Sequence, residues 1–106
     1  MTTCALLFTD VVDSTGIVQR LGDEAAAALW AGHDRLARAL LARHGGREID
    51  RSDGFFLLFD DVAPAVAYAQ GYHAALATLG LAARVGLHRG DVTLRTNAAD
   101  AVALGA

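Results

Sequence analysis

The first hydrophobic segment of the chain is short, apolar and close to the N-terminus. Residues 4–9 read Cys-Ala-Leu-Leu-Phe-Thr, a run of strand length without a charge, and the run ends at Asp10. Such a run predicts a buried β-strand. The residues that follow predict a turn and then a short helix, which Ser14 or Thr15 caps through its hydroxyl and which ends at Leu21 before a glycine.

A long amphipathic helix is predicted next. Asp23 is a favourable N-cap, and Leu29, Leu36 and Leu40 recur at the spacing of one helix face. His44 and the two glycines that follow it form a stop signal. The other apolar positions that widen the predicted buried stripe are Ala25, Trp30, Ala37 and Leu41.

Two strands joined by a tight turn are predicted within residues 47–59. The segments 47–51 and 55–59 flank the sequence Ser-Asp-Gly at 52–54, and Gly54 can adopt the positive φ that a tight hairpin requires. The second segment reads Phe-Phe-Leu-Leu-Phe and is apolar on both faces. We therefore expect it to lie in the interior of its sheet.

A second long helix is predicted after the hairpin. It begins at Asp60 or Asp61 and ends at Leu79 before a glycine, and Pro64 falls in its first turn, where the missing N–H costs little. Helical spacing makes His73 an ordinary core histidine in this prediction. The predicted buried face consists of Val66, Ala69, His73, Leu76 and Ala77.

The last part of the pattern predicts a strand over residues 82–88, a bend at Gly90 and a further strand over residues 92–95. The order of elements is then strand, helix, strand, strand, helix, strand. That order is the split βαβ, ferredoxin-like arrangement (βαββαβ). The predicted fold class is therefore α/β, an α+β sandwich with its helices on one face of an antiparallel sheet.

Composition indicates a single small globular domain over residues 1–106. Hydrophobic residues make up 54% of the chain, which argues against disorder, and a net charge of −3 argues against a nucleic-acid partner. Cys4 is the only cysteine, so no disulfide framework is expected. No signal peptide or membrane-spanning run is visible, which favours the cytoplasm. The apolar end at residues 102–106 favours a fragment whose domain is C-terminally incomplete.

Asp10 and Asp53 are the candidate catalytic residues. The predicted topology places the first strand beside the hairpin, so the two carboxylates meet at one edge of the sheet. Such a pair suits Mg²⁺ or Mn²⁺, which bind through one or two carboxylates and the phosphates of a nucleotide. The competing interpretation is that one Asp is a turn former and that Asp-Gly is an ordinary hairpin turn. The histidines show no spacing typical of metal ligands.

Three blocks in order resemble the class III adenylate and guanylate cyclase catalytic domains. The first is residues 7–15, Leu-Phe-Thr-Asp-Val-Val-Asp-Ser-Thr. The second comprises Gly-Gly-Arg-Glu-Ile at 45–49, Asp-Gly-Phe-Phe at 53–56, and Phe59. The third is residues 84–90, Arg-Val-Gly-Leu-His-Arg-Gly. Each block is a modest signal, but the three in this order cover nearly the whole chain.

The resemblance implies a purine nucleotide cyclase that forms a 3′,5′-cyclic nucleotide and pyrophosphate from ATP or GTP in cyclic-nucleotide signalling. It makes Asp10 and Asp53 the ligands of two Mg²⁺ or Mn²⁺ ions, with the main-chain carbonyl of Val11 as a further ligand. It also implies a head-to-tail homodimer with a shared active site. The triphosphate is then expected to lie along Val12, Asp13, Ser14 and Thr15.

The chain departs from the family pattern in the hairpin and beyond it. Ser52 replaces a glycine before the second Asp, and the hairpin is one residue short, which turns side chains to the other face of a strand. Asp50 stands where many adenylate cyclases have a purine-reading lysine. It either accepts a hydrogen bond from a base amine or is a solvated strand residue. Asn97 is no clear match for the transition-state asparagine, and no arginine follows Arg95.

These departures leave a second hypothesis open. The chain is either a cyclase or a catalytically weak or inactive cyclase-homology module, which binds nucleotide or dimerises to regulate attached domains. A diguanylate-cyclase-like domain is a third possibility, since it shares the fold and the use of carboxylate-bound metal ions. It is disfavoured because the sequence has no Gly-Gly-(Asp/Glu)-Glu-Phe hairpin.

Overall fold

The computed structural model describes the backbone of residues 2–96 and 101–105 and the side chains of residues 4–90. Within these residues the chain forms three helices and five strands. In chain order the elements are β1 (Thr2–Val11), α1 (Ser14–Leu21), α2 (Asp23–Arg43), β2 (Arg47–Arg51), β3 (Phe55–Phe59), α3 (Val62–Thr78), β4 (Ala83–Thr96) and β5 (Ala101–Gly105).

The strands form one antiparallel sheet in the order β2-β3-β1-β4-β5. The first four strands and the helices between them have the predicted βαββαβ arrangement. β3 lies between β2 and β1, as its apolar character on both faces predicts. The α+β fold class predicted from the sequence is therefore confirmed.

Alternate residues of β1 belong to two separate clusters, one on each face of the sheet. Ala5 and Leu7 are fully buried on the face that the helices cover, and they belong to the main core. Cys4 and Leu6 point to the opposite face, where they cluster with Leu58 of β3. The described helices therefore cover one face of the sheet.

Helix α2 ends in a Schellman motif that directs the chain into β2. Gly45 has φ +69°, and its N–H donates to the carbonyl of Ala42, while the N–H of Gly46 donates to the carbonyl of Leu41. Glycine is favoured at 45 because a Cβ disfavours this left-handed conformation. The stop signal in the sequence therefore acts at the predicted place.

The predicted buried face of α3 is wrong in part. Val66, His73 and Ala77 are exposed. Tyr68 and Tyr72 are fully buried instead, because a tyrosine can bury its ring when its hydroxyl finds a hydrogen-bond partner. The buried residues of this helix are Ala65, Tyr68, Tyr72 and Leu76.

The buried stripe of α2 also differs from the predicted one. Its leucines at positions 29, 36 and 40 are half-buried and flank the core, and Ala25 is exposed. His33 is buried in their place, with 1% of its surface exposed. The buried residues of α2 are Ala26, His33, Ala37 and Leu41.

The predicted bend at Gly90 and Asp91 is absent, because β4 runs without interruption from Ala83 to Thr96. Its first ten residues pair with β1, and the residues from Val92 onward pair with β5. Gly90 and Asp91 pair with Cys4 and Thr3 of β1, and this pairing continues the strand where local sequence favours a turn. Asn97 lies outside the described residues. In the described part of the chain, no helix has the length and apolar character needed to cross a membrane.

Candidate functional site

Asp10 lies near the end of β1 on the face that the helices leave uncovered. Its side chain is 58% exposed, and its Oδ2 accepts a hydrogen bond of 3.1 Å from Nη1 of Arg84. Arg84 is the residue opposite Asp10 in the β1–β4 register. Sequence analysis assigned no role to Arg84, because only the strand register brings this cation to the carboxylate.

The hairpin turn that carries Asp53 is docked against the end of β1. The Phe55 N–H donates to the hydroxyl of Thr9 at 2.9 Å. A Cβ on Gly54 would lie 1.7 Å from the Thr9 carbonyl oxygen and 3.6 Å from the Cα of Asp10. The turn therefore lies against the backbone of Asp10, so the structure brings the two predicted aspartates to the same edge of the sheet.

The start of α1 lies directly after this edge. Asp13, rather than Ser14 or Thr15, occupies the N-cap position, with φ +57° and no capping hydrogen bond from its side chain. Its carboxylate instead pairs with Arg20 at 3.2 Å. No side-chain cap therefore occupies the first-turn N–H groups of α1, the groups with which a helix N-terminus binds phosphate.

A cavity of about 300 Å³ opens between α1, α2 and the hairpin turn. Asp53 lies on its wall together with Ser14 and Thr15. A larger cavity, about 690 Å³, lies towards the other end of β1 and is lined by residues such as Cys4 and Arg89. The chemistry of the smaller cavity, with a carboxylate and a helix start, makes it the better candidate.

Asp50 reaches the same sheet face as Asp10 through a β-bulge. The β2–β3 register shifts between Glu48 and Asp50, which places Asp50 opposite Phe56. Phe56 stacks on Phe8 with ring centroids 4.5 Å apart, on the face that carries every second residue of β1. The bulge therefore offsets the missing hairpin residue and keeps this carboxylate on the uncovered face.

A buried polar cluster lies behind the hairpin turn. His33 has its Nδ1 2.9 Å from Oδ1 of Asp34 and its Nε2 2.7 Å from the hydroxyl of Tyr72. Arg51 donates to Asp34 at 2.9 Å and to the carbonyl of Ser52 at 2.7 Å. Sequence analysis missed this cluster, because a histidine without ligand spacing gives no sign of its partners.

The ionised Asp34 should stabilise the fold at neutral pH. Burial raises the pKa of its carboxyl, but hydrogen bonds from His33 and Arg51 outweigh that effect and hold it below its ordinary value of 3.8. We expect Asp34→Asn to lower the free energy of unfolding at pH 7 by roughly 1–3 kcal/mol, the value of hydrogen bonds to a charged group. The measurement is urea unfolding between pH 7 and pH 2.5.

The sign of the pH dependence follows from the lowered pKa. The unfolded chain takes up the proton first, so the stability from Asp34 is complete above about pH 3.8 and is lost as the pH falls through the folded-state value. The difference between the wild type and Asp34→Asn should therefore shrink in acid. Asp61→Asn, at an exposed N-cap without a side-chain hydrogen bond, is the control. A difference that stays constant down to pH 2.5 would contradict this account.

The carboxylates of Asp10 and Asp53 suit a divalent ion that binds together with a nucleotide. Among the described residues no group of three or more His, Cys, Asp and Glu side chains could hold a metal by itself. Two exposed carboxylates at one edge match the way in which Mg²⁺ binds, through few protein ligands with substrate phosphates completing its shell. The Arg84 guanidinium already pairs with Asp10 at this edge.

Comparison with solved structures identifies the fold. An adenylate cyclase from Trypanosoma brucei, in its monomeric state, superposes with a TM-score of 0.85 and 21% identity, over 99% of this chain and 64% of the other. The adenylyl cyclase CyaB from P. aeruginosa gives 0.85 and 17%, over 97% and 65%. The guanylate cyclase domain of RhGC from Catenaria anguillulae, in complex with GTP, gives 0.81 and 16%, over 98% and 66%.

The chain therefore has the fold of adenylyl and guanylyl cyclase catalytic domains, and the resemblance stated from its three sequence blocks is confirmed at the level of the fold. It spans about 64% of the length of the first two such structures. No family sequence model matches the chain, and no curated protein matches it by sequence.

Proposed function

We propose that this chain is a purine nucleotide cyclase-type domain, which converts ATP, in preference to GTP, to the 3′,5′-cyclic nucleotide and pyrophosphate in cyclic-nucleotide signalling. The observation that carries the proposal is the docking of the turn at Asp53 onto the backbone of Asp10. The cyclase fold and the free helix start beside this pair support it.

Asp10 and Asp53 would hold two Mg²⁺ or Mn²⁺ ions together with the main-chain carbonyl of Val11. When bound, the ions supply activation of the attacking 3′-hydroxyl and charge neutralisation at the leaving phosphates. The protein's part is to present both carboxylates, exposed to solvent, at one edge of the sheet. Arg84 keeps Asp10 paired until the substrate arrives, and its exposed side chain is free to turn to a phosphate oxygen.

The segment from Val12 to Thr15 would bind the triphosphate. The N–H groups of Ser14 and Thr15 belong to the first turn of α1, where the helix dipole favours an anion. Asp13 contributes its main chain only, since its carboxylate is turned to Arg20 and would repel phosphate. This division of roles follows from the left-handed backbone at Asp13.

Asp50 would accept a hydrogen bond from an amine of the purine. Its place on the uncovered sheet face supports a site shared between two copies, since Phe8 on that face is 47% exposed and stacks on Phe56. A head-to-tail homodimer would cover these aromatic rings and bring Asp50 of one copy towards the nucleotide of the other. The partner is thus a second copy of this chain.

The test is incubation of the purified chain with Mn²⁺ and either ATP or GTP, with cyclic nucleotide measured by chromatography. We expect cyclic AMP above cyclic GMP. Equilibrium dialysis with a non-hydrolysable ATP analogue gives the affinity separately. Binding without product would favour the regulatory module, which the acidic Asp50 and Ser52 at altered positions also support. Absence of metal-dependent binding would overturn the proposal.

A further inference from the structure

His33 has a hydrogen-bond partner at each ring nitrogen. A carboxylate only accepts, so Nδ1 donates to Asp34. Nε2 lies 2.7 Å from the hydroxyl of Tyr72 on α3. His33 is 1% exposed and Tyr72 is fully buried. The histidine thus connects α2 to α3 through buried polar atoms.

Thr9 connects β1 to the hairpin. Its hydroxyl oxygen accepts the N–H of Phe55 at 2.9 Å, directly after the turn, and the residue is buried. One side of the turn is therefore held to β1 by a buried polar group.

Arg51 holds the other side of the turn. Its guanidinium donates to Asp34 on α2 and to the carbonyl of Ser52, and it lies 4.6 Å from the ring centroid of Phe55. Its Nε is buried without a partner among the described residues, so the two terminal nitrogens carry its pairing. The hydrogen bonds thus form a network that begins at Tyr72 on α3 and ends at the hairpin turn.

We propose that this network, formed by Tyr72, His33, Asp34 and Arg51, positions the turn that carries Asp53 of the candidate metal pair. Arg51 donates to the carbonyl of Ser52, which immediately precedes Asp53. The network members are positioning residues, since they act through the backbone of the turn. The metal part of this inference rests on the proposed function, whereas the ordering of the turn does not.

A pair of buried tyrosines on α3 offers a matched test. Tyr72→Phe removes the hydroxyl that belongs to the hydrogen-bond network. Tyr68→Phe removes a hydroxyl that donates to the carbonyl of Ala37 at 3.2 Å and has no link to the hairpin. Both tyrosines are fully buried, and their rings stack 5.8 Å apart. A loss of core stability alone would therefore affect the two variants in the same way.

The first readout is amide hydrogen exchange in the metal-free chain. We expect the amides of Phe55 and Ser52 to exchange about tenfold faster in Tyr72→Phe, which corresponds to about 1.4 kcal/mol and to one lost buried hydrogen bond. They should be unchanged in Tyr68→Phe. Equal exchange in both variants would overturn the proposal. Arg51→Lys keeps the charge but loses the rigid pair of terminal nitrogens that donate to Asp34 and Ser52. It replaces Tyr72→Phe should that variant fail to fold.

The second readout is the dissociation constant of Mn²⁺ with α,β-methylene-ATP, followed by electron paramagnetic resonance. We expect it to rise about tenfold in Tyr72→Phe, the lower end of the ~10–100-fold cost of losing an outer-shell partner, and not in Tyr68→Phe. Wild-type binding with equal constants in both variants would overturn the positioning role and leave the proposed function standing. The wild type could bind no Mn²⁺ while amide exchange still differs between the two variants. That result would overturn the proposed function and support the ordering of the turn by the hydrogen-bond network.

Discussion

Replacing Asp10 or Asp53 with asparagine should abolish metal-dependent nucleotide binding and any cyclic-nucleotide formation. Each variant removes one of two carboxylates in a site where the described residues offer no third. Loss of an outer-shell partner typically costs ~10–100-fold in metal affinity, so loss of a ligand should cost at least about a hundredfold. The measurements are Mn²⁺-dependent dialysis of an ATP analogue and product formation.

The asparagine variants should still fold, so a loss of nucleotide binding can be attributed to the missing carboxylate. The Asp10 and Arg84 side chains are 58% and 73% exposed, and exposed ion pairs contribute little to stability. Asp60→Asn is the matched control, because Asp60 forms an exposed pair with Arg47 at 3.5 Å away from the candidate site. It should leave both binding and the melting temperature unchanged. Full nucleotide binding by Asp10→Asn and Asp53→Asn would refute the assignment of the metal pair.

Gly54→Ala should be among the most destabilising single substitutions in this chain. The new Cβ would lie 1.7 Å from the carbonyl oxygen of Thr9, a backbone atom that the β1–β4 pairing holds in place. Overpacking costs about 1–3 kcal/mol where side chains can adjust, and we expect about 3 kcal/mol or more here because the neighbour is backbone. Urea unfolding measures the loss.

The same substitution should also weaken metal binding, because relief of the overlap moves the turn at Asp53 away from β1. Gly86→Ala is the control: it lies in a strand, and its Cβ would meet nothing within 4 Å. Alanine is favoured over glycine in strands by roughly 0.5–1 kcal/mol, so that variant should be neutral or slightly more stable. Equal stability of Gly54→Ala and wild type would contradict the docked position of the turn.

The positions of Asp10 and Asp53 could be predicted from the sequence because their signals are local. An apolar run ends at the first, and a turn between two strand segments contains the second. The element order then left few topologies, and the commonest of them places the two turns side by side. The burial of β3 followed from its composition in the same way.

The buried faces of α2 and α3 could not be predicted as well. Hydropathy treats histidine and tyrosine as poor core residues, so the pattern selected Val66 and His73 over Tyr72 and gave His33 no role. Burial of a polar side chain depends on finding a partner, and the partner of His33 lies 39 residues away. Val66 and His73 were predicted to be buried and are exposed. No local rule distinguishes the two neighbouring faces of an alanine-rich helix.

The sequence by itself determined where the helices, the turns and the two aspartates of this protein lie, because glycines and apolar runs act over a few residues. Only the tertiary structure decided which groups meet those aspartates. Arg84 reaches Asp10 across 74 positions of the chain, through strand pairing alone. His33 and Tyr72 meet in the same way across 39 positions, as a hydrogen bond forms wherever packing brings a donor to an acceptor.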